Sequence, residues 1–164
     1  MSSEYVVVCE VERTSHADLP DLVRNKGCER WPSPGNLKGL QRVKPRPPRR
    51  VEIVCFTPTF EEHRLCSTAL PTAFMKRSLR PATLFELLAL IPGNSPTRVQ
   101  LIEMRGQFLQ KKLLAYGQCH RNWARVLEPT YLAWSRYGGL DWGYGAIVTY
   151  DQCWYVGYRE INDG

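Results

Sequence analysis

Apolar positions recur with a β-type period near both ends of the chain and with a helical period in its middle. Glu4 to Val11 alternates loosely around Tyr5, Val6, Val7, Val8, Cys9 and Val11, a β-branched run that predicts a mostly buried first strand. Val51 to Phe56 reads as a second strand stopped by Pro58, whereas Phe60 to Phe74 fits neither period. Thr83-Leu-Phe-Glu86 has the spacing of a capping box. The residues that follow, through Ile91, are apolar on nearly all sides and predict a short interior helix. Pro92-Gly93-Asn94 breaks it, and Ser95-Pro96 supplies an N-cap and a first-turn proline for a second helix. That helix is expected to reach Tyr116, with Gly117 as its C-cap. Its inward side would carry Val99, Ile102, Leu109, Leu113 and Tyr116, and its solvated side Gln100, Glu103, Gln107, Gln110 and Lys111.

A third amphipathic segment is expected over His120 to Leu127, continuing after Pro129 through Tyr131 to Tyr137 and ending at Gly138-Gly139. Ala146 to Tyr150 and Cys153 to Tyr158 predict a C-terminal hairpin turning near Asp151-Gln152. This order lacks the alternation of a parallel doubly wound sheet. It predicts one α+β domain over residues 1–164, a mostly antiparallel sheet packed against two to four helices in the middle-to-late chain.

The 43% apolar content of the 164 residues is enough for one core. The longest apolar stretch, Leu84 to Ile91, falls far short of the roughly 20 residues a membrane span requires. The N-terminus lacks the basic and apolar regions of a secretory signal, so a cytoplasmic protein without a membrane partner is expected. Cys9, Cys28, Cys55, Cys66, Cys119 and Cys153 are widely spaced, three of them in apolar strand-like runs, and read as reduced thiols.

The formal charge of +6 changes the picture through its placement. Residues 31–50 form a proline-rich, irregular segment with no acidic residue, ending in Arg42, Lys44, Arg46, Arg49 and Arg50. A solvated linker is the plainer account of such a run. Further cations are Lys76, Arg77, Arg80, Arg121 and Arg125, interleaved with Trp123, Trp134 and Tyr137. Arg98, Arg105 and Lys112, spaced by seven, fall on the apolar side of the expected second helix. Cations offset phosphate charge and flat rings stack on bases, so the leading expectation is a non-enzymatic accessory protein that binds DNA or RNA through its backbone. A winged helix-turn-helix would use Arg98 and Arg105, although the apolar character of that face argues against groove reading.

A second expectation is a protein-interaction module, an adaptor or small inhibitor docking to a larger, possibly nucleoprotein, assembly through Trp31, Trp142, Trp154 and the proline-rich segment. An enzyme stands third. His63-x-x-Cys66 and Cys119-His120 offer thiol and imidazole, but adjacent ligands chelate poorly and nothing marks a thiol as activated, either Cys66 beside His63 or Cys119 with the distant His16. Glu61-Glu62 beside His63 reads as a solvated turn. The glycines from Gly138 to Gly145 match neither a P-loop nor a dinucleotide fingerprint, and no cofactor is implied.

Overall fold

The computed structural model describes residues 4–28, 38–64, 72–93, 96–121, 124–125, 127–134, 139–144 and 150–162. They form an α+β domain around a seven-stranded sheet of order β1-β2-β7-β4-β5-β6, with β3 also beside β7. The strands are β1 (Glu4–Val11), β2 (Arg49–Phe56), β3 (Arg80–Pro81), β4 (Lys112–Arg121), β5 (Leu127–Trp134), β6 (Leu140–Tyr144) and β7 (Cys153–Glu160). Every pairing is antiparallel except that of β4 with β7. The helices with described bounds include α1 (Leu19–Asn25), α2 (Phe60–Arg64), α3 (Leu84–Ala89) and α4 (Arg98–Gln107). No helix among the described residues is long and apolar enough to cross a membrane.

Alternation along the strands explains the layering. Val51, Ile53 and Cys55 of β2 and Trp154, Val156 and Tyr158 of β7 join the main core with α1 and α3. Val54, Phe56, Cys153 and Tyr155 form a smaller cluster on the opposite face with Phe74 and Leu79. In β1 Tyr5, Val7, Cys9 and Val11 meet the core, and Val6 and Val8, on the other face, stay half exposed. Helix α3 is interior as expected, and its capping box forms: Thr83 and Glu86 satisfy each other's backbone N–H groups.

The second helix departs from expectation. It begins after Thr97, whose side chain accepts from the Gln100 N–H, and it ends at Gln107; Ser95 lies outside the described residues. Leu109 and Gln110 take left-handed backbone conformations, φ 53° and 58°, and turn the chain back into β4. Lys112 to Tyr116 is therefore strand. The inward stripe is Leu101, Met104 and Phe108, while Val99, Ile102 and Leu109 face solvent. The expected stripe followed Val99, Ile102 and Leu109, apolar residues that the fold leaves exposed. The third amphipathic segment is likewise the β4–β5 pair, with Tyr137 and Gly138 outside the described residues. Pro129 lies within β5, opposite Cys119 of β4. The later arm of the expected hairpin is β7, and residues 146–149 lie outside the described set. Trp142 and Trp154 are buried in the core, which removes them as docking surfaces; Trp31 also lies outside the described residues.

Strand β4 leaves β7 after Leu114, and β3 takes up the vacated edge. The register of β4 on β5 slips between Ala115 and Cys119. The Gly117 N–H donates to the Ala82 carbonyl at 2.8 Å. A Cβ at Gly117 would stand 2.3 Å from the Pro81 carbonyl oxygen. Buried Gln118 accepts from the Leu84 N–H at 3.0 Å and donates to the Gln41 carbonyl at 3.0 Å, joining α3 to the segment before β2. Gly117→Ala is expected to cost about 1–3 kcal/mol through overpacking against fixed backbone. Gly106→Ala, in open space within α4, is expected to add about 0.5–1 kcal/mol. Urea unfolding of the two variants beside the unaltered protein checks both signs.

Candidate nucleic-acid interface

Many of the cations singled out in the sequence are held by carboxylates. Arg49 Nη2 lies 2.7 Å from Glu86 Oε1, and its Nη1 donates to Thr14 Oγ1 at 3.0 Å. Glu86 is fully buried, so Arg49 balances an interior charge. Arg46 pairs with Glu160, and Arg50 stands 3.7 Å from Glu10 with both side chains exposed. Lys76 and Arg77 converge on Glu62 at 3.3 and 2.8 Å, and the Arg77 guanidinium lies 4.0 Å from the Phe56 ring centre. For Glu62, burial is the largest single influence and works against the charge. The bonds from Arg77, the Thr59 N–H and Lys76 outweigh it and hold the carboxyl at about 2, against an ordinary 4.5.

The expected heptad of cations does not exist as a helix face. Arg98 opens α4 and is exposed, and Arg105 donates to Gln110 Oε1 at 3.0 Å. Lys112 begins β4, with its ammonium 4.3 Å from the centre of the Tyr131 ring. Arg80, in β3, sits within the field of Glu160.

Four of the cations are brought to one end of the sheet. The segment before β2 lies along the far end of β4: the Gln41 N–H donates to the Cys119 carbonyl at 2.9 Å and the Arg121 N–H to the Gly39 carbonyl at 2.7 Å. Leu40 and His120 form an antiparallel bridge between them. Gly39 permits the approach, since a Cβ there would stand 2.6 Å from the His120 ring. Arg42 and Lys44 continue from this contact, and Arg121 and Arg125 flank the turn from β4 into β5. All four are exposed, and none forms an ion pair among the described residues. Trp123 lies outside those residues.

Arg42 and Lys44 line an open cleft of about 520 Å³ with Ser15, His16, Ala17, Val43 and Pro45, and no carboxylate is among these residues. Burial, with Arg42 adding to it, pulls the His16 pKa down. The imidazole is thus held toward its neutral form, and its buried Nδ1 has no hydrogen-bond partner among the described residues. Sequence reading missed His16 as part of this group because only the fold carries it to Arg42.

The remaining candidate chemistry is muted. His63 Nδ1 lies 3.0 Å from the hydroxyl of buried Tyr155, whereas Cys66 is outside the described residues. Burial pushes the thiols of Cys28 and Cys153 up to about 12 and raises those of Cys9, Cys55 and Cys119. None is therefore poised as a thiolate. No group of three or more His, Cys, Asp or Glu stands together among the described residues.

Arg49→Ala is expected to destabilise the fold by about 3–5 kcal/mol, because it strands the buried Glu86 carboxylate, while Arg42→Ala stays within about 0.5 kcal/mol. Thermal and urea unfolding separate the two classes of arginine. The depressed Glu62 pKa contributes stability that is complete above about pH 4.5 and lost as pH falls toward about 2. Glu62→Gln should lower stability at pH 7 by on the order of 2 kcal/mol and flatten the acid limb of a stability-against-pH curve. Comparison of the chain with protein-family models, curated proteins and solved structures finds no match.

Proposed function

We propose that this protein is a non-enzymatic accessory factor that binds the phosphate backbone of nucleic acid through the end of the sheet carrying Arg42, Lys44, Arg121 and Arg125. The observation that supports this reading is that the cations tied to acids and those gathered at this end of the sheet are different residues. Arg46, Arg49, Arg50, Lys76 and Arg77 are tied to acids. The four at this end have no carboxylate partner among the described residues, and Arg42, Lys44 and Arg121 stand on segments held by backbone hydrogen bonds. Cations held in place without acids attract phosphate at little ordering cost. The cleft beside Arg42 adds a concave wall with a hydroxyl and a neutral imidazole, groups that bond phosphate or sugar oxygens.

A protein-interaction role has separate support in the exposed Val6, Val8, Val99 and Ile102, which lie on β1 and α4. The two readings are compatible because they use different residues.

If all four cations meet phosphates, the logarithmic salt slope is about −3.6 on duplex DNA and about −2.8 on single strands. Affinity should then fall by roughly two orders of magnitude between about 50 and 200 mM salt on a duplex. Each of Arg42→Ala, Lys44→Ala, Arg121→Ala and Arg125→Ala should reduce the slope by about one, and Lys76→Ala should leave it unchanged. Fluorescence anisotropy with labelled oligonucleotides at several salt concentrations measures these slopes. Undetectable binding at about 50 mM salt, where non-specific attraction is strongest, would refute the proposal.

A further inference from the structure

We infer that the outer edge of β1 accepts a basic, extended segment of a partner protein as an added β-strand. Strand β1 is last in the sheet order and pairs along its full length with β2 alone among the described residues. Every second backbone N–H and C=O along such a strand points away from its one neighbour, a template for further pairing. The strand is eight residues long and carries neither proline nor a register slip.

Both sides of this edge are shaped to receive side chains. On the core side a cleft of about 280 Å³ opens between Tyr5 and Val7 of β1 and Met104 and Phe108 at the end of α4, with exposed Glu103 and Gln107 also lining it. On the other side Val6 and Val8 are 49% and 46% exposed. A strand laid along β1 would send alternate side chains toward the cleft and onto these valines, the arrangement by which strand addition gains specificity.

Charge selects the occupant. Val6 and Val8 are flanked on their own face by exposed Glu4 and Glu10, and the cleft carries Glu103, so this edge is acidic on a chain of net charge +6. Among the described residues Glu10 is ion-paired with exposed Arg50 alone, at 3.7 Å, a contact worth little in water. Two copies of β1 paired antiparallel about Val7 would set Glu4 against Glu10 at both ends, and like charges directly opposed are destabilising. A partner with Lys or Arg at those places and apolar residues opposite Val6 and Val8 has no such conflict.

The test uses the full chain and a labelled peptide, Lys-Thr-Val-Leu-Val-Thr-Lys, whose palindromic order serves either strand direction. Saturable binding is expected by fluorescence anisotropy. Replacing both terminal lysines with glutamate should weaken it at least about tenfold, as should Val6→Lys or Val8→Lys in the protein, whose circular dichroism and melting should stay unchanged. Methylating alternate peptide nitrogens, which removes strand hydrogen bonds and keeps the charge, should abolish binding. Equal binding by the glutamate or methylated peptide overturns the inference, as does no saturation by about 1 mM, the weak end of specific affinities. Sedimentation as a dimer that Val8→Lys dissociates would assign the edge to a second copy and also overturn it.

Discussion

One buried carboxylate holds the cationic end of this protein in place. Glu86 is fully buried and is satisfied from both sides, by the Thr83 N–H on Oε2 and by Arg49 on Oε1. An interior carboxylate without such partners would cost several kcal/mol, so the Arg49 guanidinium is fixed by the helix that Glu86 caps. Arg49 also donates to the Thr14 hydroxyl, and Thr14 exchanges two backbone hydrogen bonds with Arg46 at 2.9 and 3.3 Å. Arg46 in turn pairs with Glu160 at the end of β7. The exit of β1, the start of β2, the end of β7 and helix α3 therefore share one knot. The segment bearing Arg42 and Lys44 is anchored there at its later end and by its hydrogen bonds to β4 at its earlier one.

That anchoring gives the proposed phosphate contacts their physical basis. A proline-rich linker left to itself would lose conformational freedom on binding, which subtracts from affinity. Here folding has already ordered the backbone through Gly39, Gln41 and Arg46. The same network decides which cations are available. Arg46 and Arg49 are used in holding the segment, and Arg42 and Lys44 are held by it.

The sequence carried the strands β1, β2 and β7 and the capped interior helix plainly, because each depends on neighbours a few positions away. The helix-to-strand change at residues 108–111 was hidden, since the left-handed residues are Leu109 and Gln110 instead of glycines. Strand β4 was hidden too, because its parallel partner lies about forty residues downstream and tertiary pairing overrode local pattern. Charge was the least legible property. The basic run ending at Arg50 has no acid within it, yet Arg46 meets Glu160 across 114 positions and Arg49 meets Glu86 across 37. An acid-poor run in sequence is not an acid-poor surface, and Arg42 and Lys44 reach the end of the sheet that carries Arg121 and Arg125 because Gly39 lets their segment lie on β4.

The strained turn after α4 ties the β1 edge to the core. Left-handed conformations at two consecutive non-glycine residues cost of order 1–3 kcal/mol each and persist only where the surroundings over-determine them. Here the Gln110 N–H returns to the Arg105 carbonyl at 3.1 Å, and the Arg105 side chain holds Gln110 at 3.0 Å. The Trp154 indole N–H donates to the Phe108 carbonyl at 3.1 Å, so this tryptophan works as a buried anchor. Pinned there, α4 packs through Leu101, Met104 and Phe108, and Tyr5 of β1 meets it edge-on at the Phe108 ring, 5.2 Å between centres. The earlier turns of the helix then stand off from β1, which leaves Val99 and Ile102 in solvent and the cleft beneath the β1 edge open. The opening at that edge is thus a consequence of where the core places Phe108.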